Sequence, residues 1–495
     1  MRKIGTLALA AMAALTLPAA VQAQGKKDAV VVGMVLEPPG LDPTVAPAAA
    51  IGEITHYNIY EGLTRIVENG TVQPLLADEW SVSSDSKTWT FKLKKGVKFH
   101  DGTAFDGADV KSAFERYGAE KSTNKNKSTF ANMESITTPD PATVVIKLKE
   151  VNATLLFDLG LNTAVITATE STEGNATKPV GTGPFKFDNW VKGDRVVMVA
   201  APTWRTPGSV KIKRATFRFI TDPNAGMAAL MAGDVDAFPQ FNTYEAVNQF
   251  AKDPRFTVTT GTTEGETVLA MNNKRKPFDD VRVRRAVAHA IDRNAILAGA
   301  LYGFGLPIGT HFPPHNPAYV DLTGLYPHDV AKAKALLAEA GYPNGIDVTL
   351  KLPPPAYARR SGEIVAAELA EAGIRVKIEN IEFAQWLDVV YAKLNYDLSI
   401  IAHVEPNDLD IYSKPGYYFG YENAEYNALI AKIKSTVNDA ERAKLQQQAQ
   451  RKLAEDSVNG FLFSLPRITI AKKGLTGLWK NAPIFANDLT NVHWQ

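Results

Sequence analysis

Residues 77–110 read ADEWSVSSDSKTWTFKLKKGVKFHDGTAFDGADV, and the hydrophobic period changes within them. Trp89, Phe91 and Leu93 alternate with Thr90, Lys92 and Lys94. A period of two is that of a strand with one face buried. Asp85-Ser86 supplies the turn before it. Further on, Val110, Ala113, Phe114 and Tyr117 fall at helical spacing, and Asp106 or Asp109 can cap the helix they define. The stretch therefore predicts a strand, a turn and a capped helix, the beginning of an α/β unit.

The segment Gly96 to Val110 also holds His100, Asp101, Asp106 and Asp109, a set that invites a metal or acid/base reading. His100 and Asp101 are neighbours, so in a strand they point to opposite faces. Asp106 and Asp109 are better used as caps. Zinc sites use His or Cys pairs two to four residues apart, or HExxH, and this stretch has neither. We expect a structural role, with no metal and no catalysis.

Working outward, DAVVVGMVLEPPGLDPT predicts a buried strand at Val30 to Val35 that leaves into a proline-rich loop, and TVVIKLKE predicts another strand. Gly181, Gly183 and Pro184 punctuate the chain. IKRATFRFI follows as a strand, and DPNAGMAALMAGDVDAF as a helix stopped by Gly233 and then a strand. FDDVRVRRAVAHAIDRNAILAGALYG predicts one amphipathic helix capped by Asp279 or Asp280, with Val283, Val287, Ala290 and Ile291 on one face. DVAKAKALLAEAGYPNG (a helix closed by Gly341), DVTLKL, EIVAAELAEAG and IRVKIENI alternate helix and strand. Helices at Tyr426–Ile433 and Ala440–Ala454 and the strand FLFSLPRITIA complete the chain.

A chain of 495 residues allows about three domains. MRKIGTLALAAMAALTLPAAVQAQ has a basic start, an apolar run from Ile4 to Ala20 and the small-x-small pattern Val21-Gln22-Ala23, so residues 1–23 are expected to be a cleaved signal peptide. Cysteine is absent from the sequence, which leaves no lipid attachment point. No later run reaches the length of a membrane span. Loss of Arg2 and Lys3 takes the formal charge from +1 to −1, which gives no basic field for nucleic acid. A periplasmic protein fits best.

The span Ala77 to Phe99 resembles the signature of the family 5 extracellular solute-binding proteins, the periplasmic dipeptide, oligopeptide and nickel receptors of ABC importers. IYEGL (59–63), VGTGPF (180–185), PFDDVRVRRAVAHAIDR (277–293) and AKALLAEAGYPNG (333–345) resemble further landmarks of that family, in its order. The resemblance implies an α/β, two-lobed periplasmic binding protein fold with an extra domain in lobe one. Lobe one would be 25–62, 183–268 and 470–495, the extra domain 63–182, and lobe two 269–469. It also implies a monomer without cofactor that encloses a small organic solute by a hinge motion and delivers it to a membrane permease.

The same resemblance points to the loop after YDLSIIA, where peptide-binding members hold the ligand's amine with an aspartate three positions after a tryptophan. Here His403 and Pro406 stand at those places, and Glu405, Asp408 or Asp410 can substitute. His403 can hydrogen-bond or stack. Tyr417, Tyr418 and Phe419 can line a cleft. Arg359 and Arg360, in PPPAYARRSGE, can grip a carboxylate; Arg360 is favoured because dipeptide-binding relatives use an arginine in this region, and Tyr357 is counted with it. Trp386 and Glu37 complete the ligand-facing candidates, Glu37 because it follows the first strand.

Other chemistries are weakly represented. Ser84 to Lys87 spells SxxK, as in a serine hydrolase, but no KTG or SDN follows. A nickel-chelate receptor would hold its metal mainly through a small organic carrier or through one histidine such as His403, since the prolines between His311 and His315 forbid a helical pair. An opine or an oligosaccharide is a further alternative to a peptide. Aromatic walls suit sugars, and an arginine with carboxylates suits zwitterions.

Overall fold

Two long strands, Phe256–Met271 and Asn459–Lys472, run side by side through the middle of the molecule. The computed structural model describes residues 28–46 and 48–495, so the expected signal peptide lies outside the described residues. Thr257–Thr262 pair with Pro466–Ala471, and Glu266–Ala270 pair with Asn459–Ser464. Between Thr262 and Glu266 the register shifts, so the ladder is interrupted where the two halves of the molecule meet. In the second half the alternation of the strand decides the layers. Leu269 and Met271 enter one hydrophobic cluster, while Val268 and Ala270 enter another on the opposite face.

The sheet built on this pair has eleven strands. On one side lie Leu398–His403, Ile346–Leu352 and Ile374–Asn380, the last two parallel and joined by the helix Ala356–Glu371. On the other side lie Ala237–Phe238, Ala29–Met34, Arg214–Phe219, Arg195–Ala200 and Phe185–Val191. The first side packs its own apolar core around Leu336, Leu350, Val365 and Leu398, and the second around Val32, Phe185, Met198 and Phe217. The boundaries expected at 268/269 and 469/470 fall inside the two long strands.

A separate four-stranded antiparallel sheet holds the opening stretch: Ala77–Val82, Thr88–Leu93, Thr143–Leu148 and Met133–Asp140, in that order. Trp89, Phe91 and Leu93 are buried, as their alternation requires. Gly107–Gly118 is the expected helix, and both aspartates serve it. Asp106 accepts from the Ala108 N–H, and Asp109 accepts from the Asp106 N–H, a reciprocal capping box. Asp101 accepts from Thr103, and His100 bonds the Gly183 carbonyl at 2.9 Å. These groups satisfy the local backbone.

Two sequence expectations are corrected. The single helix expected from Asp279 onward is two, Val281–Ala290 and Arg293–Leu301. Ile291 is extended, and the Asp292 carboxylate accepts from the Asn294 and Ala295 N–H groups, so a new N-cap ends the periodic run. The helix expected to follow PPPAYARRSGE begins earlier, at Ala356, and takes Tyr357, Arg359 and Arg360 into its first turns.

Candidate functional site: a cleft beside the strand crossing

A cavity of about 970 Å³ lies where the two long strands change partners. That volume accommodates a solute at the upper end of the small-molecule range, roughly 300–1,000 Å³. Its walls come from segments within residues 33–265 and 404–487. The helix Ala49–Thr55 contributes Glu53, and His56 follows at its end. The segment after Ala237–Phe238 brings Gln240 and Phe241. The four-stranded domain adds Lys125 and Asp158, the crossing adds Glu264 and Arg467, and the loop after Leu398–His403 adds Glu405, Asp408 and Asp410.

Arg467 is the cation at the floor. It is 2% exposed. Its Nη2 donates to Asn487 Oδ1 at 3.0 Å, whereas its Nε and Nη1 have no hydrogen-bond partner. Burial pulls the guanidinium down to about 10, so it stays charged near neutral pH. Nearby Glu53 accepts from Gln240 at 3.0 Å, and burial, partly offset by Arg467, raises its carboxyl. The floor is thus a desolvated positive charge with spare donors, an arrangement suited to an incoming carboxylate.

The remaining walls carry carboxylates, a neutral histidine and two lysines, Lys125 and Lys434. Burial holds His56 neutral, at about 3. Burial raises Asp158 to about 6, although Asn152 and Thr154 donate to it. Lys125 bridges from the four-stranded domain to Glu405 at 2.9 Å, and Lys434 holds Asp410 at 2.9 Å. Asp408 has no lysine partner at such a distance; it bonds His311 Nε2 at 2.9 Å. Burial pushes its carboxyl up, but His311 and His403 outweigh that and hold it low.

Of the sequence candidates, the structure brings Glu405, Asp408 and Asp410 to the cavity wall. Glu37, Tyr357, Arg360, Trp386, His403 and Tyr417 lie outside that lining and are engaged elsewhere. Glu37 accepts from Trp190 Nε1 and the Gly193 N–H. The Tyr357 hydroxyl accepts from the Ala402 N–H. Arg360 sits over the Tyr302 ring, 5.6 Å from its centre. Trp386 is buried and donates to Ser399 Oγ. His403 bonds the Tyr418 hydroxyl at 3.0 Å. Tyr417 packs against the cluster around Tyr418 and Phe419. Sequence reading missed Arg467, Glu53, Asp158, Lys125 and Glu264. For Arg467 a signal existed: it is one cation inside the apolar run FLFSLPRITIA, and a charge in a buried strand demands a partner.

The comparisons agree with this architecture. The model of the bacterial extracellular solute-binding proteins, family 5 (middle region), matches residues 71–424, and the chain belongs to that family. It has the family's two-lobed α/β fold and is the solute-binding component of an ABC importer. The glutathione-binding protein GsiB of Salmonella choleraesuis strain SC-B67 is 31% identical over 76% of this chain and 74% of its own length. AgaA from A. tumefaciens R10, solved with agropinic acid, is 29% identical with a TM-score of 0.73, covering 94% of this chain and 99% of AgaA. HbpA2 from Haemophilus parasuis shares the fold at a TM-score of 0.84 and 24% identity, over 94% of this chain and 100% of its own.

Proposed function

We propose that the protein captures a small peptide-like zwitterion, with the solute's carboxylate on Arg467 and its amine toward the acidic wall of Glu405, Asp408 and Asp410. The observation that carries this reading is Arg467, a buried guanidinium at the cavity floor with two unpartnered donor nitrogens. Leaving such donors unpaired is costly, about 1–3 kcal/mol each, so a ligand that satisfies them gains that energy back. Asp408 is the wall carboxylate not held by a lysine, which makes it the natural end for an ammonium group.

The interrupted ladder between Thr262 and Glu266 is the natural bending point for lobe closure. Lobe one and the extra domain would lie on one side of it and lobe two on the other. In this reading residues 1–23 direct export, cleavage follows Ala23, and the mature monomer works in the periplasm and docks on a membrane permease. A second reading, an opine-type acid, is favoured by the likeness to AgaA, whose solved ligand is agropinic acid. It uses the same arginine.

A thermal-shift panel tests the class of ligand. Short peptides and opine-type acids are expected to raise the melting midpoint in proportion to the logarithm of concentration; their methyl esters are not. A neutral sugar that stabilises the protein, while every acid fails, would overturn the reading.

A further inference from the structure

Asp408 also belongs to a cluster whose two histidines, His311 and His403, lie outside the cavity lining. His311 Nε2 lies 2.9 Å from one Asp408 oxygen and His403 Nδ1 lies 3.9 Å from the other. The ligating atoms of all three residues fall within 4.8 Å of one another. The far nitrogen of each histidine is held by a phenol: His311 Nδ1 by Tyr412 at 2.9 Å and His403 Nε2 by Tyr418 at 3.0 Å. Asn459 in turn donates to the Tyr412 oxygen. If each ring donates its far N–H to its tyrosine, both lone pairs point at the same place as the Asp408 carboxylate. Outer-shell bonds of this kind fix tautomer and ring orientation in metal sites.

A second observation is independent of the histidines. Glu266 is 1% exposed, and neither of its carboxylate oxygens has a hydrogen-bond partner. It lies opposite His403 in the register of the two strands, so both side chains leave the same face of the sheet. A buried carboxyl with neither oxygen partnered is a group that a nearby cation would satisfy.

We propose that His311, His403 and Asp408 bind a divalent first-row transition-metal ion of the zinc or nickel class, with Glu266 compensating its charge. Two imidazoles and carboxylates suit such ions, and a set of three protein ligands leaves a coordination position open. Asp408 and Glu264 line the cavity, so the ion has a route in from the cleft. This inference goes beyond the zwitterion reading and shares only Asp408 with it.

The test uses the tag-free mature protein, stripped with a chelator and titrated with Co²⁺ while visible absorption is followed. Wild type is expected to bind one Co²⁺ per chain with saturable ligand-field bands, displaced by Zn²⁺. His403→Gln and Asp408→Asn are each expected to weaken Co²⁺ by about 100-fold or more, because losing a ligand costs more than the roughly tenfold to 100-fold lost when an outer-shell partner is changed. Arg467→Met is expected to leave Co²⁺ binding unchanged, which separates this inference from the solute reading. Should Asp408→Asn fail to fold by circular dichroism, His403→Gln alone decides, because that side chain is partly exposed. No saturable bands in wild type, or unchanged affinity in His403→Gln, would overturn the proposal.

Discussion

Arg467→Met is expected to weaken binding of a carboxylate-bearing solute by about 100-fold or more while leaving the protein folded. The binding loss follows from removing a desolvated cation that meets an anion, a change that costs about 2–5 kcal/mol when one partner of a buried charged pair is truncated. The fold is spared for a different reason. Arg467 forms no ion pair within 4 Å among the described residues, so Met removes an unpaired buried charge, and Glu53, whose carboxyl Arg467 partly holds down, can take up a proton in response. The bond lost to Asn487 Oδ1 works against that gain, so a melting midpoint close to wild type is expected. Isothermal titration with the acid and its methyl ester checks both parts. Wild type should prefer the acid strongly and the variant should not distinguish them. Equal affinity of the acid for both proteins would remove Arg467 from the site.

Gly261→Ala is expected to destabilise the protein by about 3 kcal/mol or more, at the upper end of overpacking costs. Gly261 pairs with Arg467 across the two long strands. A Cβ there would lie 1.9 Å from the Lys480 carbonyl oxygen and 2.5 Å from its carbon. Both are backbone atoms, so no side-chain rotation relieves the clash. The Thr262 N–H donates to Asn481 Oδ1 beside it, which ties the C-terminal segment to the crossing at this point. Either the strand pair or that segment must give way. Gly174→Ala is the control, because a Cβ there meets nothing within 4 Å, and its effect should stay within about 0.5 kcal/mol. Thermal melts of the three proteins side by side show whether the crossing is as tight as the structure places it.

The fold was legible wherever one element declares its own period. The alternation of Trp89, Phe91 and Leu93, the caps at Asp106 and Asp109, and the stop at Gly233 are local signals, and each is realised in the structure. The break at Asp292 shows the limit of periodicity. The apolar repeat continues across it, but one carboxylate competes successfully for the backbone N–H groups. The cleft was less legible, for a topological reason. Glu53, Asp158, Glu264, Asp408 and Arg467 are far apart in sequence and line one cavity beside the strand pair. The loop after Leu398–His403 is marked by the family resemblance, and three of its carboxylates, Glu405, Asp408 and Asp410, reach the wall. His403 was legible as a residue of interest. Its company was not, since His311, Tyr412 and Tyr418 reach it through tertiary packing.

The measurement that tests the central claim most directly is native mass spectrometry of the mature protein isolated without refolding, weighed before and after denaturation. Wild type is expected to carry a small acid-bearing solute, released on unfolding, and Arg467→Met prepared in the same way is expected to carry none. A co-purified solute lacking any carboxylate, or one retained equally by Arg467→Met, would contradict it.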